Sequence, residues 1–176
     1  ESLSTLIQNL ANNDHTLALE LYAETTAKLT DEEINKSFGA VASNIAGSWG
    51  QYDGAGAAEW AMDLPEGDQR GRSIQSVVRS WSEADPVAAS EFVGALSNGS
   101  ERDGAVESLV LSVQQGDPES AFIWAESISD EQKRSNVVRN AAMQWKEVDA
   151  DAAFRAVGNA NIPDEEKVQL LKRMQE

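Results

Sequence analysis

Apolar residues in this chain recur in steps of three and four, break off at an aspartate, and start again. Asp53, Asp85, Asp117 and Asp149 lie 32 residues apart in succession (85 − 53, 117 − 85, 149 − 117). Four residues before them stand Trp49, Trp81, Val113 and Trp145, and eight before them Ile45, Val77, Leu109 and Ala141. Such spacing puts these residues on one face of a helix. Beyond the aspartate, position plus four holds Ala57, Ala89, Ala121 and Ala153, position plus seven Trp60, Phe92, Trp124 and Ala156, and position plus eight Ala61, Val93, Ala125 and Val157. That is a second helix. A looser copy, with Leu6 and Leu10 before it and Ala18, Leu21 and Tyr22 after it, centres on Asp14, 39 residues before Asp53 (53 − 14).

A fixed period of this size is the signature of a helical repeat array. The pattern predicts an all-α chain, a single domain folded as a right-handed α-α superhelix. It comprises five helix-turn-helix pairs, at about residues 1–29, 30–66, 67–98, 99–128 and 129–160, and a closing helix over 163–176. About eleven helices are expected. The small residue at plus four suits a close helix crossing. The aspartate is expected to cap the second helix of each pair by accepting from its free N–H groups. Pro86 and Pro118 follow it where a missing N–H costs nothing, whereas Asp53-Gly54 and Asp149-Ala150 should make looser corners. Thr30 to Glu33 and Ser129 to Gln132 have capping-box character, and Ser100 is expected to cap its helix. The seven extra residues before Asp53 (39 − 32) amount to about two helical turns. They predict that the first helix of the second pair is the longest, with Phe38 and Val41 on the preceding pair. Gly47, Gly50, Gly54 and Gly56 predict a soft end and corner there.

Laid out in copies, the chain resembles the tetratricopeptide-like α-solenoids. It is similar above all to the tandem W-x3-D-P-x2-A helical repeats of many bacterial proteins, which often stand behind an N-terminal membrane anchor or signal. Trp81 to Ala89 matches that motif in full. Trp49 to Ala57 and Trp145 to Ala153 lack the Pro, and the copy at Asp117 lacks the Trp. The resemblance implies an architecture without catalytic residues, whose members bind proteins or peptides.

Composition narrows the possibilities. There is no cysteine, which excludes disulfides and thiolate sites. Fourteen basic against 30 acidic residues give a formal charge of −16, which opposes binding to nucleic acid or anionic lipid and favours a basic partner. No apolar run of about 18 residues or more is present, so no direct membrane insertion by this segment is expected. The first residue is Glu1, not Met. This suggests a processed chain and, with the resemblance, a periplasmic or other extracytoplasmic location.

No phosphate loop, metalloprotease helix, nucleophile elbow or calcium loop occurs. No catalytic residue, cofactor or metal is therefore expected, and the chain reads as a non-enzyme. The acidic residues at 130–131 and 164–166 fall at helix starts, where the dipole accounts for them. His15 reads as a solvent-facing turn residue. Trp49, Trp81 and Trp145 share one repeated slot and Trp60 and Trp124 another, both on core faces. Phe122, Ile123 and Phe154 either fill the joint between pairs, the favoured reading, or form an exposed patch. Gln75, Arg79, Glu107 and Arg139 are polar residues that differ from copy to copy on a repeating frame, so they are the candidate partner-binding positions. The functional expectation is a scaffold for a protein or peptide. The alternative is a structural or assembly segment of a larger envelope-associated protein.

Overall fold

The computed structural model describes residues 2–176, except the side chain of Asn35; Glu1 lies outside the described residues. Among the described residues the protein is all-α, with twelve helices and no strand. It divides into two compact units, Glu1–Glu91 and Phe92–Glu176.

The first unit contains α1 (Leu3–Ala11), α2 (His15–Thr26), α3 (Asp31–Phe38), α4 (Val41–Gly50), α5 (Gly54–Asp63) and α6 (Asp68–Ala84), and ends within α7 (Pro86–Ala95). Helix α4 is at its centre, packed on α1, α2, α5 and α6. Ile7, Ala18, Tyr22, Phe38, Val41 and Ile45 meet in one buried cluster; each large side chain withdrawn from water stabilises the fold by about 1.5–3 kcal/mol. The second unit holds the rest of α7, then α8 (Ser100–Val113), α9 (Pro118–Glu126), α10 (Glu131–Lys146), α11 (Ala150–Asn159) and α12 (Asp164–Gln175). Here α10 is central, touching α8, α9, α11 and α12.

Each repeated aspartate makes the same corner. Asp14, Asp53, Asp85, Asp117 and Asp149 have φ between −148° and −143° and ψ between 78° and 90°. Each carboxylate accepts from the backbone N–H three residues on, at 2.9–3.0 Å. Each backbone N–H donates to the carbonyl four residues back, and each carbonyl accepts from the alanine at plus four. One residue thus ends a helix and opens the next. The alanines Ala18, Ala57, Ala89, Ala121 and Ala153 are all fully buried, which lets the paired backbones approach.

Several expectations give way. The first helix of the second pair is not one long element. It breaks at Gly39-Ala40 into α3 and α4, because the seven extra residues form a separate helix opened by the Thr30–Glu33 capping box. The longest helix is α6, with 17 residues. Ser100 does not cap α8; Gly99 stands there at φ 147°, as Gly67 does before α6 at φ 140°. A β-carbon is strained in that region, so glycine supplies the turn. The cap of α10 is Asp130, not Ser129.

The glycines of the second pair reflect crowding rather than softness. A Cβ on Gly50 would lie 2.5 Å from Ser80 Oγ and one on Gly54 2.1 Å from the Trp81 ring. On Gly56 it would meet Trp49 at 2.8 Å. Helices α4 and α6 pack closely along Gly47, Gly50, Ser76 and Ser80. His15 is half-buried and stacks on Trp49, with ring centroids 5.1 Å apart and planes 17° apart. The expected joint residues separate: Phe122 is buried against Trp145, Phe154 is half-buried, and Ile123 is 59% exposed.

Candidate binding site

Of the five tryptophans only Trp145 is buried; Trp49, Trp60, Trp81 and Trp124 are half-buried and line the borders between helices. Trp60, on α5, meets Tyr22 of α2 edge-on at 6.0 Å and 76°. These two rings form one wall of a hollow of about 500 Å3, bounded by the end of α2, the start of α3 and the turn from α5 to α6. Leu29, Ile34 and Leu64 add apolar surface, and Asp31, Glu66 and Asp68 stand exposed around the opening. None of the described residues that line it is basic. Burial raises the Tyr22 phenol above its ordinary pKa, and a hydrogen bond with the Gln69 side chain works against that rise. Gln69 also donates to the Phe38 carbonyl, 3.4 Å away, which ties the α6 end of the hollow to α3.

The hollow exists because the period is interrupted here. Leu64 occupies position plus eleven of its copy and is half-buried beside the hollow; at the same position Leu96 is also half-buried, and Ile128 and Ala160 are buried. Helix α3, eight residues that take up the seven-residue excess, stands where the regular frame has no element. The excess was visible in the sequence, but its consequence was not: extra length reads as a longer helix, while Gly39-Ala40 turns it into a second one.

The four candidate partner-binding residues are divided between the units, Gln75 and Arg79 in the first and Glu107 and Arg139 in the second. Arg79 is exposed and lines a polar hollow of about 230 Å3 between α4 and α6, with Ser43, Asn44, Gln51, Ser76 and Glu83. Gln75 is half-buried on the same helix. Glu107 on α8 is engaged by Lys133 of α10 at 3.0 Å. Arg139 donates to Asn136 and borders a crevice between α10 and α12 of about 30 Å3, room for about one water.

In the second unit, polar side chains join the turns to the helices. Asp103 is 2% exposed, and its two carboxylate oxygens accept from the backbone N–H groups of Ser129 (2.8 Å) and Asp130 (2.9 Å). Arg102 donates to the Ser127 carbonyl at 2.9 Å. Arg134 donates to the carbonyls of Asn161 (2.7 Å) and Ile128 (2.8 Å). Arg102 and Arg134 are themselves 32 residues apart (134 − 102), with Arg70 a further 32 back (102 − 70). This polar repeat escapes a search for apolar periodicity. Arg102 and Arg134 tie turns to helices in this way.

The described residues contain no group of three or more His, Asp or Glu placed to hold a metal ion, and no helix long and apolar enough to cross a membrane. Fold and hollow together define an all-helical protein with an aromatic, acid-rimmed recess. No family model, curated protein or solved structure matches the chain.

Proposed function

We propose that this protein is a non-catalytic helical-repeat scaffold that binds a protein or peptide, its pairs following one another with the right-handed sense of a tetratricopeptide-like superhelix. The observation that carries the binding reading is the recess between α2–α3 and the α5–α6 turn. Its volume of about 500 Å3 falls in the range of ligand-holding clefts, and its aromatic and aliphatic walls are of the kind that anchor interface side chains. The five equivalent aspartate corners favour the superhelix, since identical joints repeated along a chain generate one.

The test of binding is capture of partners on the immobilised chain from native lysate, followed by reconstitution with the purified partner. A saturable complex of fixed stoichiometry is expected. Failure of every captured protein to bind when purified defeats the proposal. Small-angle scattering checks the superhelix, for which an elongated particle is expected. A second reading, an assembly segment of a larger envelope-associated protein, is favoured by Leu3, Leu6 and Leu17, which are exposed on α1 and α2. Sedimentation distinguishes it: self-association abolished by Leu3→Ser/Leu6→Ser supports an assembly role, and a monomer at all concentrations removes it.

A further inference from the structure

We infer that the recess seats the side chain of an arginine carried by a peptide segment of the partner. The inference rests on the binding-scaffold reading and adds the chemistry of what is bound. The walls and the rim call for different properties in one group. Trp60 and Tyr22, with Leu29 and Ile34 beside them, offer surface for an aliphatic or planar body. Asp31, Glu66 and Asp68 around the opening call for positive charge, and no described lining residue supplies any. An aliphatic ligand would make no use of the three exposed carboxylates; an anion would be repelled by all three.

A cation on an apolar stem satisfies both parts. Arginine fits better than lysine, because a guanidinium is planar and weakly hydrated, stacks on aromatic rings, and offers several donors to carboxylates in different directions. A carboxamide already lines the recess, where Gln69 donates to the Phe38 carbonyl; it can turn its acceptor oxygen toward such a donor. The overall charge of −16 draws a basic segment toward the surface before it docks.

The test uses the whole chain, 15N-labelled, titrated with an end-blocked glycine–leucine–arginine–leucine–glycine peptide and followed by NMR. Saturable shifts at the Trp60 indole N–H and the Gln69 side-chain amide are expected. The same peptide with citrulline, which keeps the shape and loses the charge, should bind at least about tenfold more weakly. An Asp31→Asn/Glu66→Gln/Asp68→Asn variant with an unchanged spectrum should weaken the arginine peptide by roughly fivefold or more, as expected for three exposed charge contacts. Equal binding of the citrulline peptide, or shifts only elsewhere, overturns the inference. So does spermidine binding at the recess as tightly as the peptide, which would make the ligand a free polyamine. If a purified partner binds the parent and the triple variant equally well, the inference fails and the scaffold reading stands. If neither the peptide nor any purified partner binds, both fail.

Discussion

Replacing Gly54 by alanine should destabilise this protein, although alanine is ordinarily the better residue in a helix. Gly54 opens α5 with φ outside the left-handed region, so its backbone does not demand glycine. On that ground alone the change should gain about 0.5–1 kcal/mol. The new Cβ, however, falls 2.1 Å from Cγ and Cδ2 of Trp81 and 2.4 Å from Cδ1. Ordinary contact begins near 3.4 Å, so the ring must recede by about 1.3 Å (3.4 − 2.1). An indole is rigid, and its retreat moves α6 or forces the ring off its rotamer, at about 1–3 kcal/mol. With the clash near the middle of that range, the net expectation is a loss of about 1–1.5 kcal/mol, or a fall in Tm of about 2–6 °C for a chain of this size. Gly71 is the control. It lies inside α6 with nothing within 4 Å of the position its Cβ would take, so Gly71→Ala should gain about 0.5–1 kcal/mol. Adding Trp81→Leu to Gly54→Ala should cost less than the two single changes summed, because the contact is shared. Calorimetry or urea unfolding of the four variants decides the matter. A Gly54→Ala protein as stable as its parent would refute the proposed clash.

Asp103→Ala should cost about 2 kcal/mol, since two backbone N–H groups lose a buried acceptor; hydrogen exchange should accelerate at Ser129 and Asp130, and unchanged exchange there contradicts the reading. Asp85→Ala should cost about 1 kcal/mol through loss of the N-cap, with peptide binding retained in the folded protein; lost binding at an unchanged Tm would make the residue a ligand contact. Thr30 lowers the Glu33 pKa through its amide and then its hydroxyl, and Ser120 lowers that of Asp117 through its hydroxyl and then its amide. Depressed carboxyl pKa values contribute stability above the unfolded value that is lost as pH falls through the folded one, so urea midpoints should drop below about pH 4. Tyr22 is shifted upward, so its contribution is present below its ordinary value near 10 and is lost as pH rises beyond that; Tyr22→Phe should flatten this alkaline limb.

Much of the secondary structure was legible because it repeats. The aspartate corner is local chemistry: one side chain, one N–H three residues on, one helix ending and another starting. Five copies made its helix boundaries readable without a structure. What could not be read was spatial. Gly50 and Gly54 look like flexible positions in one dimension, yet each faces a side chain about 30 residues away (Ser80 and Trp81) that leaves no room for a methyl group. His15 looks solvated until Trp49 lies on it. Asp103 looks like first-turn charge on α8, and its partners lie in a different turn. The recess was least legible, because Tyr22, Asp31, Trp60 and Asp68 become neighbours only through an irregularity in the chain.

The rings that lie across the corners limit how such a chain can be rearranged. In the first unit the tryptophan of one copy rests on the residue following the aspartate of the copy before it: Trp49 on His15, and Trp81 at Gly54. The two are not interchangeable, since an imidazole stacks where a bare backbone elsewhere is required. The copies at Asp53 and Asp85 therefore each carry half of a key whose lock belongs to the copy before. Exchanging the order of two copies would separate both keys from their locks even if every helix remained intact. Duplication can extend this stretch safely only when neighbouring copies are carried together, so the helix pairs of the first unit form a fixed succession rather than a string of equivalent beads.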